Sequence, residues 1–400
     1  MFKQLTLDLR LLIAENELQN SSYENEPLDA MYILELRYKH EAKHLYYCKI
    51  CQQGEVCKMA IPVKHRQHYV FQAYLKEWTK NDQIWCFRDG KKFLTNTINI
   101  AQERDFYRVL DANDDEKRFL SMFWYKQPNE TEDILRKQME LYETPIRWKK
   151  YVKNMKTLFE STVYQGRPLP KEYCETLAKA EQFIEDSTNN LIEDQYSDEE
   201  GKTVEMLQKL KQGDMSFYYE PKSEAGMAFH DTMQEFLYHF CSQYVRTKAM
   251  RTRLLKSLKS LMASEMIEQM GMDEKNIRPA HLTHHILWYT ACKLADTLYE
   301  IKAHMTLLSN NTTHHFITGD QPILNLNADY QDQTDQVDAM IFYYPISQTR
   351  AITVNDSNSE NTIELSIDDV DYYNRKIAAA SYEAIYADSS SMLDHCLTTP

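Results

Sequence analysis

The sequence predicts an α+β fold, with a mainly helical middle and short β segments near the N-terminus and in the C-terminal third. Three observations carry this. Only eight glycines occur in 400 residues, among many Leu, Lys, Glu, Met and Tyr, which favours helices joined by short loops. Apolar residues across 225–310 recur at helical spacing. Both ends of the chain carry short apolar runs bounded by polar turns, as strands do. With 43% hydrophobic residues, the chain suffices for one large core or two ordinary ones, since single cores stop growing at roughly 250 to 300 residues.

In residues 1–63, TLDLRLLIA and AMYILELRYKHEAKHLYYCKI alternate apolar and polar positions and read as two or three strands around a polar loop near Asn20 to Pro27. From His68 a helix is expected, because Tyr69, Val70, Tyr74, Leu75 and Trp78 recur at its spacing. NDQIWCFRDGKKF continues as strand, turn at Asp89-Gly90, and strand. Residues 103–160 read as helical, punctuated by Pro128 and Pro145, and PNETEDILRKQMELYE has the acidic first turn that suits a helix N-terminus. The acidic stretch EDSTNNLIEDQYSDEEGK at 185–202 reads as a solvated loop. Helices follow over 225–310, then the short strands in HFITGDQPILNL, MIFYYPISQTRAITV and TIELSI. The helix in DDVDYYNRKIAAASYEAIYAD packs on those strands. The expected organisation is a β-rich extension at 1–63, an α+β domain at 64–390 holding the acidic loop, and a tail at 391–400.

The formal charge of −14 disfavours wholesale attraction to nucleic acid or anionic membrane, so any phosphate-binding surface has to be a local basic patch. No run approaches the roughly 18 apolar residues of a membrane span, and MFKQLTLDLRLLIAEN is not built as a secretory signal. A cytoplasmic protein is expected. Its eight cysteines, scattered through hydrophobic segments, suit reduced core thiols. There is no GxGxxG, P-loop or GxSxG, which removes the usual signatures of three enzyme classes.

Ordered motifs provide the strongest functional pointer. HYVFQAYL (His68, Tyr69, Val70, Gln72, Tyr74, Leu75), QYVRTKAMR (Gln243, Arg246, Thr247, Arg251), FITGDQPIL around Asp320, YYPISQ (Pro345, Ser347) and DYYN (Asn374) occur in that order. Together they resemble a bacterial domain-of-unknown-function family, number four-two-three-eight, over roughly residues 64 to 390. Its members carry His-Tyr-Val-Pro-Gln-Phe-Tyr-Leu, Gln-x-x-Arg-Thr and Thr-Ser-Asp-Asn-Pro strings. Here Phe71 stands in place of the family's proline, Ala73 of an aromatic residue, Gly319 of serine and Gln321 of asparagine.

The resemblance implies an arrangement rather than an activity. If the fold gathers these residues, His68, Asp320 and a helix carboxylate such as Glu140 (or Glu143) suit a divalent metal, Mg or Mn. Arg246 would then pair a phosphate oxygen, and Gln243 or Asn374 would orient water. That is a metal-assisted nuclease or phosphohydrolase, with a bacterial anti-phage defence effector as its setting, and Asp320→Ala is expected to abolish hydrolysis while sparing the fold. The same residues also suit a non-catalytic ligand-binding or regulatory module within a larger complex, with His68 and Asp320 capping helices or turns, or Arg246 in a buried ion pair with Asp320.

Four further patterns have two readings each. Arg246, Lys248, Arg251, Arg253, Lys256 and Lys259, uninterrupted by acid, suit contacts to RNA or DNA phosphates or a solvated helix face. Cys48 and Cys51 with Cys57 have half the spacing of a structural zinc site, below ordinary reduced thiols in weight because a second CxxC is missing. His281, His284 and His285 share a helix face without a carboxylate among them, which favours helix-surface or helix-start histidines over a metal site. The aromatic strings FWYKQ, SFYYE and IFYYP suit core or interface better than base stacking.

Overall fold

The computed structural model describes residues 63–124, 130–158, 160–161, 171–223, 229–262, 267, 271–330, 339–357 and 360–398. The expected strands of the N-terminal extension and the Cys48, Cys51 and Cys57 group lie outside the described residues. The fold is α+β. Its first described strand, β1 (Arg66–His68), pairs antiparallel with β4 (Gln102–Arg104). His68 is thus in a strand, and the helix expected from it, α1 (Gln72–Leu75), begins four residues later and passes into a 3-10 turn ending at the fully buried Trp78. The cause is pairing: Arg66, Gln67 and His68 face Arg104, Glu103 and Gln102 across the ladder, a long-range constraint that helical spacing cannot reveal.

Between these strands lies the expected hairpin, β2 (Gln83–Arg88) and β3 (Lys91–Asn96). Asp89 and Gly90 have φ of 53° and 73°, the doubly left-handed turn whose twist matches a two-residue hairpin. Next come α2 (Asp114–Trp124), α3 (Glu130–Leu158) and α4 (Lys171–Lys211). Pro145 does not punctuate the chain but sits inside α3. The supposed acidic loop at 185–202 lies in the interior of α4, where Ile184, Leu191, Ile192 and Tyr196 are buried. Residues 186–192 are buried all round the helix, so tertiary packing overrides the polar, acidic composition that suggested a loop.

The helical middle continues with α5 (Ser216–Tyr219), α6 (Thr232–Val245), α7 (Lys248–Met262) and α8 (Pro279–Glu300). Asp231 caps α6 by accepting from Gln234 N at 2.9 Å, and α8 lies along α6. A compact core joins α2, α7 and α8 through Phe119, Leu120, Leu258, Met262, Leu282 and Ile286. Among the described residues no helix is long and apolar enough to cross a membrane.

The C-terminal third supplies β5 (His304–Ser309), β6 (Thr318–Gly319), β7 (Leu324–Asn325), β8 (Phe342–Pro345), β9 (Arg350–Asn355) and β10 (Thr362–Glu364). Helix α9 (Ile367–Ala380), strand β11 (Ala384–Ala387) and helix α10 (Ser390–Thr398) follow. One sheet runs β10-β5-β9-β8-β7 and another β3-β2-β11-β6, so β11 joins the early hairpin to the C-terminal part. A capping box of Ser366 and Asp369 starts α9. Residues 391–398, expected as tail, are helical, and Leu393 is fully buried against the core of β5, β8, α9 and β11.

Gly319 marks a close approach. A Cβ there would lie 2.0 Å from Ser381 Oγ and 3.2 Å from Ala384 O. Serine, the residue that the resemblance places at this position, would require Ser381 to swing away from Ile377 O, to which its hydroxyl donates at 2.8 Å.

Candidate functional site

The bend between β1 and α1 is held from outside by one side chain. Gln243, fully buried on α6, accepts from Phe71 N at 3.0 Å and donates to Tyr69 O at 3.1 Å, so its amide replaces the ladder partners that the bending backbone lacks. The Gln243 oxygen also accepts from Arg246 Nη2 at 2.9 Å. His68, Gln243 and Arg246 therefore converge, through a brace that fixes the motif's backbone.

Arg246 ends α6 and is 2% exposed. Its guanidinium donates to Glu200 of α4, not to Asp320 as the sequence suggested, because the backbone N–H groups of 382–384 take up the Asp320 carboxylate. The guanidinium carbon lies 4.6 Å from the Tyr196 ring centroid. Burial alone would lower its pKa, but the charges of Glu200, Tyr107 and Tyr196 more than offset this, and the guanidinium stays charged. Glu193, Tyr196 and Glu200 are spaced three and four apart, which puts them on one face of α4. Glu199, beside Glu200 and within reach of the Arg246 charge, accepts from Gln195 at 3.1 Å.

This interior is short of positive charge. Burial, with help from Glu200, pushes Glu193 up to about 7 against the pull of Arg246. Burial likewise pushes Glu199 up to about 7 and raises Glu200. His68 is lowered, chiefly by burial, against hydrogen bonds to the Thr97 and Ile98 backbone, and the backbone N–H of His68 donates to Glu193 at 3.4 Å. Burial brings His239 down to about 3. Among the described residues, His68 Nε2, His239 Nε2, Ser242 Oγ, Arg246 Nε and Tyr344 Oη have no hydrogen-bond partner. Neutral imidazoles, carboxyls near half-protonation and unused donors thus occupy one neighbourhood, the usual ingredients of acid–base chemistry.

Asp320 and Asn374 are used differently. The Asp320 carboxylate, 1% exposed, accepts from the backbone N–H groups of Tyr382, Glu383 and Ala384 at 2.7, 2.6 and 3.2 Å. Burial raises its pKa to about 6 although these three donors oppose the rise. Both oxygens accept from the turn before β11, which leaves Asp320 unsuited to Mg or Mn, since these ions need carboxylate oxygens turned towards them. The side chain of Glu140, on α3, lies outside the described residues, and Glu143 pairs with Lys117 at 2.9 Å. Asn374 accepts from Ile317 N and donates to His315 O, each at 2.9 Å, tying α9 to the segment before β6.

Most of the basic run is also committed. Lys248 pairs with Glu103 and Glu383 at 3.0 and 2.6 Å. Arg251 and Arg253 donate to Phe106 O and Tyr330 O and lie over those residues' rings. Lys256 and Lys259 are exposed. On α8, burial brings His284 down to about 3 and His285 to about 4, so both are neutral core rings, while His281 turns to Asp111 O at 3.1 Å.

Sequence reasoning missed Glu193, Tyr196 and Glu200, and the signal that would have found them is their shared helical face inside a segment classed by composition. The sequence model of the family described as "Protein of unknown function (DUF4238)" matches residues 66–391. No curated protein and no solved structure matches the chain.

Proposed function

Because the chain belongs to the DUF4238 family, whose description assigns no chemistry, we propose a function from the geometry: the α4–α6 interior is a phosphodiester or phosphate-ester hydrolase site. The observation that carries it is Glu193, near neutral in pKa beside Arg246, with His68 Nε2 and Arg246 Nε unpaired among the described residues. In this reading Glu193 takes the proton of the attacking water, Arg246 Nε donates to a phosphoryl oxygen as charge builds there, the P–O ester bond breaks, and Glu193 returns its proton to the leaving oxygen. Gln243 holds Arg246 and the His68 strand in register. The setting we propose is an effector of bacterial anti-phage defence, where cleavage of nucleic acid would arrest the cell.

The test is hydrolysis of RNA, DNA and a chromogenic phosphodiester by the purified full-length chain, with Mg, with Mn and with chelator. Glu193→Gln is expected to lower the rate by about a hundredfold or more while the melting temperature does not fall. Wild-type activity should rise with pH through about 7 as Glu193 ionises. Activity unchanged in Glu193→Gln sinks the reading.

One observation favours a second reading, a non-catalytic ligand-binding or regulatory module. Arg246 is 2% exposed and already paired with Glu200, as in a structural network. Wild-type protein that hydrolyses none of the three substrates would favour it.

A further inference from the structure

A second cluster lies in the C-terminal part. His314, in the connection between β5 and β6, Asp371 on α9 and His395 on α10 turn ligand atoms towards one another, all within 4.8 Å. His314 Nδ1 is 2.8 Å from one Asp371 oxygen, and His395 Nε2 is 3.0 Å from the other. The two imidazole rings meet edge to face, with centroids 4.3 Å apart.

Three features make this more than a chance meeting of polar groups. The connection is held before any ligand arrives: His314 O accepts from Asn310 Nδ2 at 2.7 Å and from Thr312 Oγ1 at 3.1 Å, and His314 N donates to Thr312 Oγ1 at 3.2 Å. One turn along α9, Asn374 grips the backbone of His315 and Ile317 on the same connection. The side chains are 26%, 12% and 36% exposed, so an ion can reach them from solvent while they remain packed enough to hold an orientation.

The ligand chemistry is specific. Two imidazole nitrogens and one carboxylate oxygen suit zinc and its neighbours and are a poor match for Mg or Ca. Bonds of about 2.0–2.2 Å to a tetrahedral ion put its ligand atoms roughly 3.3 Å apart; the three ligand atoms already lie within 4.8 Å of one another, so an ion would replace the two hydrogen bonds to Asp371 with only small side-chain shifts. We propose that His314, Asp371 and His395 form a divalent transition-metal site of the zinc type, with a fourth position open to water, which fastens α10 to α9 and the β5–β6 connection. This site is separate from the α4–α6 interior and does not depend on the hydrolase reading.

The experiment is a Co2+ titration of untagged, chelator-treated full-length protein, read by the visible d–d absorption and by competition with Zn2+. Wild type should give a band without thiolate charge transfer, and Asp371→Ala and His395→Gln should each weaken binding by about a hundredfold or more. His395→Gln is half-exposed near the chain's end, and circular dichroism will establish that it folds. Because Cys48, Cys51 and Cys57 offer another soft site, a Cys48→Ser/Cys51→Ser variant is included and should keep the band. Zn2+ should also raise the melting temperature of wild type and leave that of His395→Gln unmoved. Absence of a band in folded wild type, equal affinity in folded His395→Gln, or loss of the band in the cysteine variant would each overturn the proposal.

Discussion

Asp320, fully buried, and Glu200, largely buried, are both carboxylates in contact with a residue or segment of the family motifs, yet their neighbourhoods differ. Around Asp320, Asn374 and Gln321, the side chains are matched to backbone groups: three N–H donors for Asp320, one donor and one acceptor for Asn374, and the Tyr244 and Ile323 carbonyls for the Gln321 amide. Around Glu200, carboxyls outnumber the guanidinium that serves them, and several polar atoms have no partner among the described residues. Satisfied polar groups fix a fold, whereas unsatisfied ones carry a cost that a structural role alone does not repay. The motif residues therefore divide into braces and candidates for chemistry, although in sequence they look alike.

The largest expected effect tests the brace. Asp320→Ala leaves three buried N–H groups without an acceptor and should cost about 3–5 kcal/mol, at roughly 1–3 kcal/mol per orphaned group with partial relaxation. Asp320→Asn keeps an acceptor and should cost less. The sequence-based expectation that Asp320→Ala would spare the fold is thereby replaced. Denaturant melts of the two variants decide the matter, and an Asp320→Ala protein as stable as wild type would place Asp320 with the chemistry after all.

The next effect tests the interior and depends on pH. Glu199 titrates at about 7 in the fold against an ordinary 4.5, so the fold favours its protonated form. That contribution is fully present below about 4.5 and is lost as pH rises through about 7. Glu199→Gln stays neutral throughout. It should match wild type at pH 4 and exceed it at pH 8 by roughly 1–3 kcal/mol, at about 1.4 kcal/mol per pKa unit with allowance for partial exposure. Thermal melts across that range would show a gap that widens with pH; a constant gap would mean that the interior charges are already balanced.

Much of the scaffold was legible because it rests on local rules. The Asp89-Gly90 hairpin follows from turn chemistry, and the helices α6, α7 and α8 follow from apolar spacing. The order of the motifs pointed to the family over roughly residues 64 to 390, and the family model matches 66–391. What composition concealed was burial of polar residues. Glu193, Tyr196 and Glu200 look like a solvated loop until α6 delivers Arg246 to their face, a contact between residues 46 apart for Glu200. His68 was displaced from helix to strand by its pairing with Gln102. His395 entered the C-terminal cluster because α10 folds back on α9, in a segment too short for its periodicity to announce a helix.

The smallest effect separates two tyrosines that touch. Tyr74 and Tyr344 stack with centroids 5.0 Å apart, and both are buried. The Tyr74 hydroxyl shares a 2.6 Å hydrogen bond with Thr318 on β6, whereas Tyr344 Oη, which feels the charges of Arg246 and Glu200, has no partner among the described residues. Tyr74→Phe should cost about 1 kcal/mol, because it leaves Thr318 unpaired. Tyr344→Phe removes an unsatisfied group and should be neutral or stabilising by a few tenths of a kcal/mol. Both variants preserve the ring stack, so their difference isolates the hydroxyl. Equal losses in urea melts would mean that Tyr344 is as well satisfied as Tyr74, and the boundary between brace and interior would then have to move to the far side of this pair, towards Arg246.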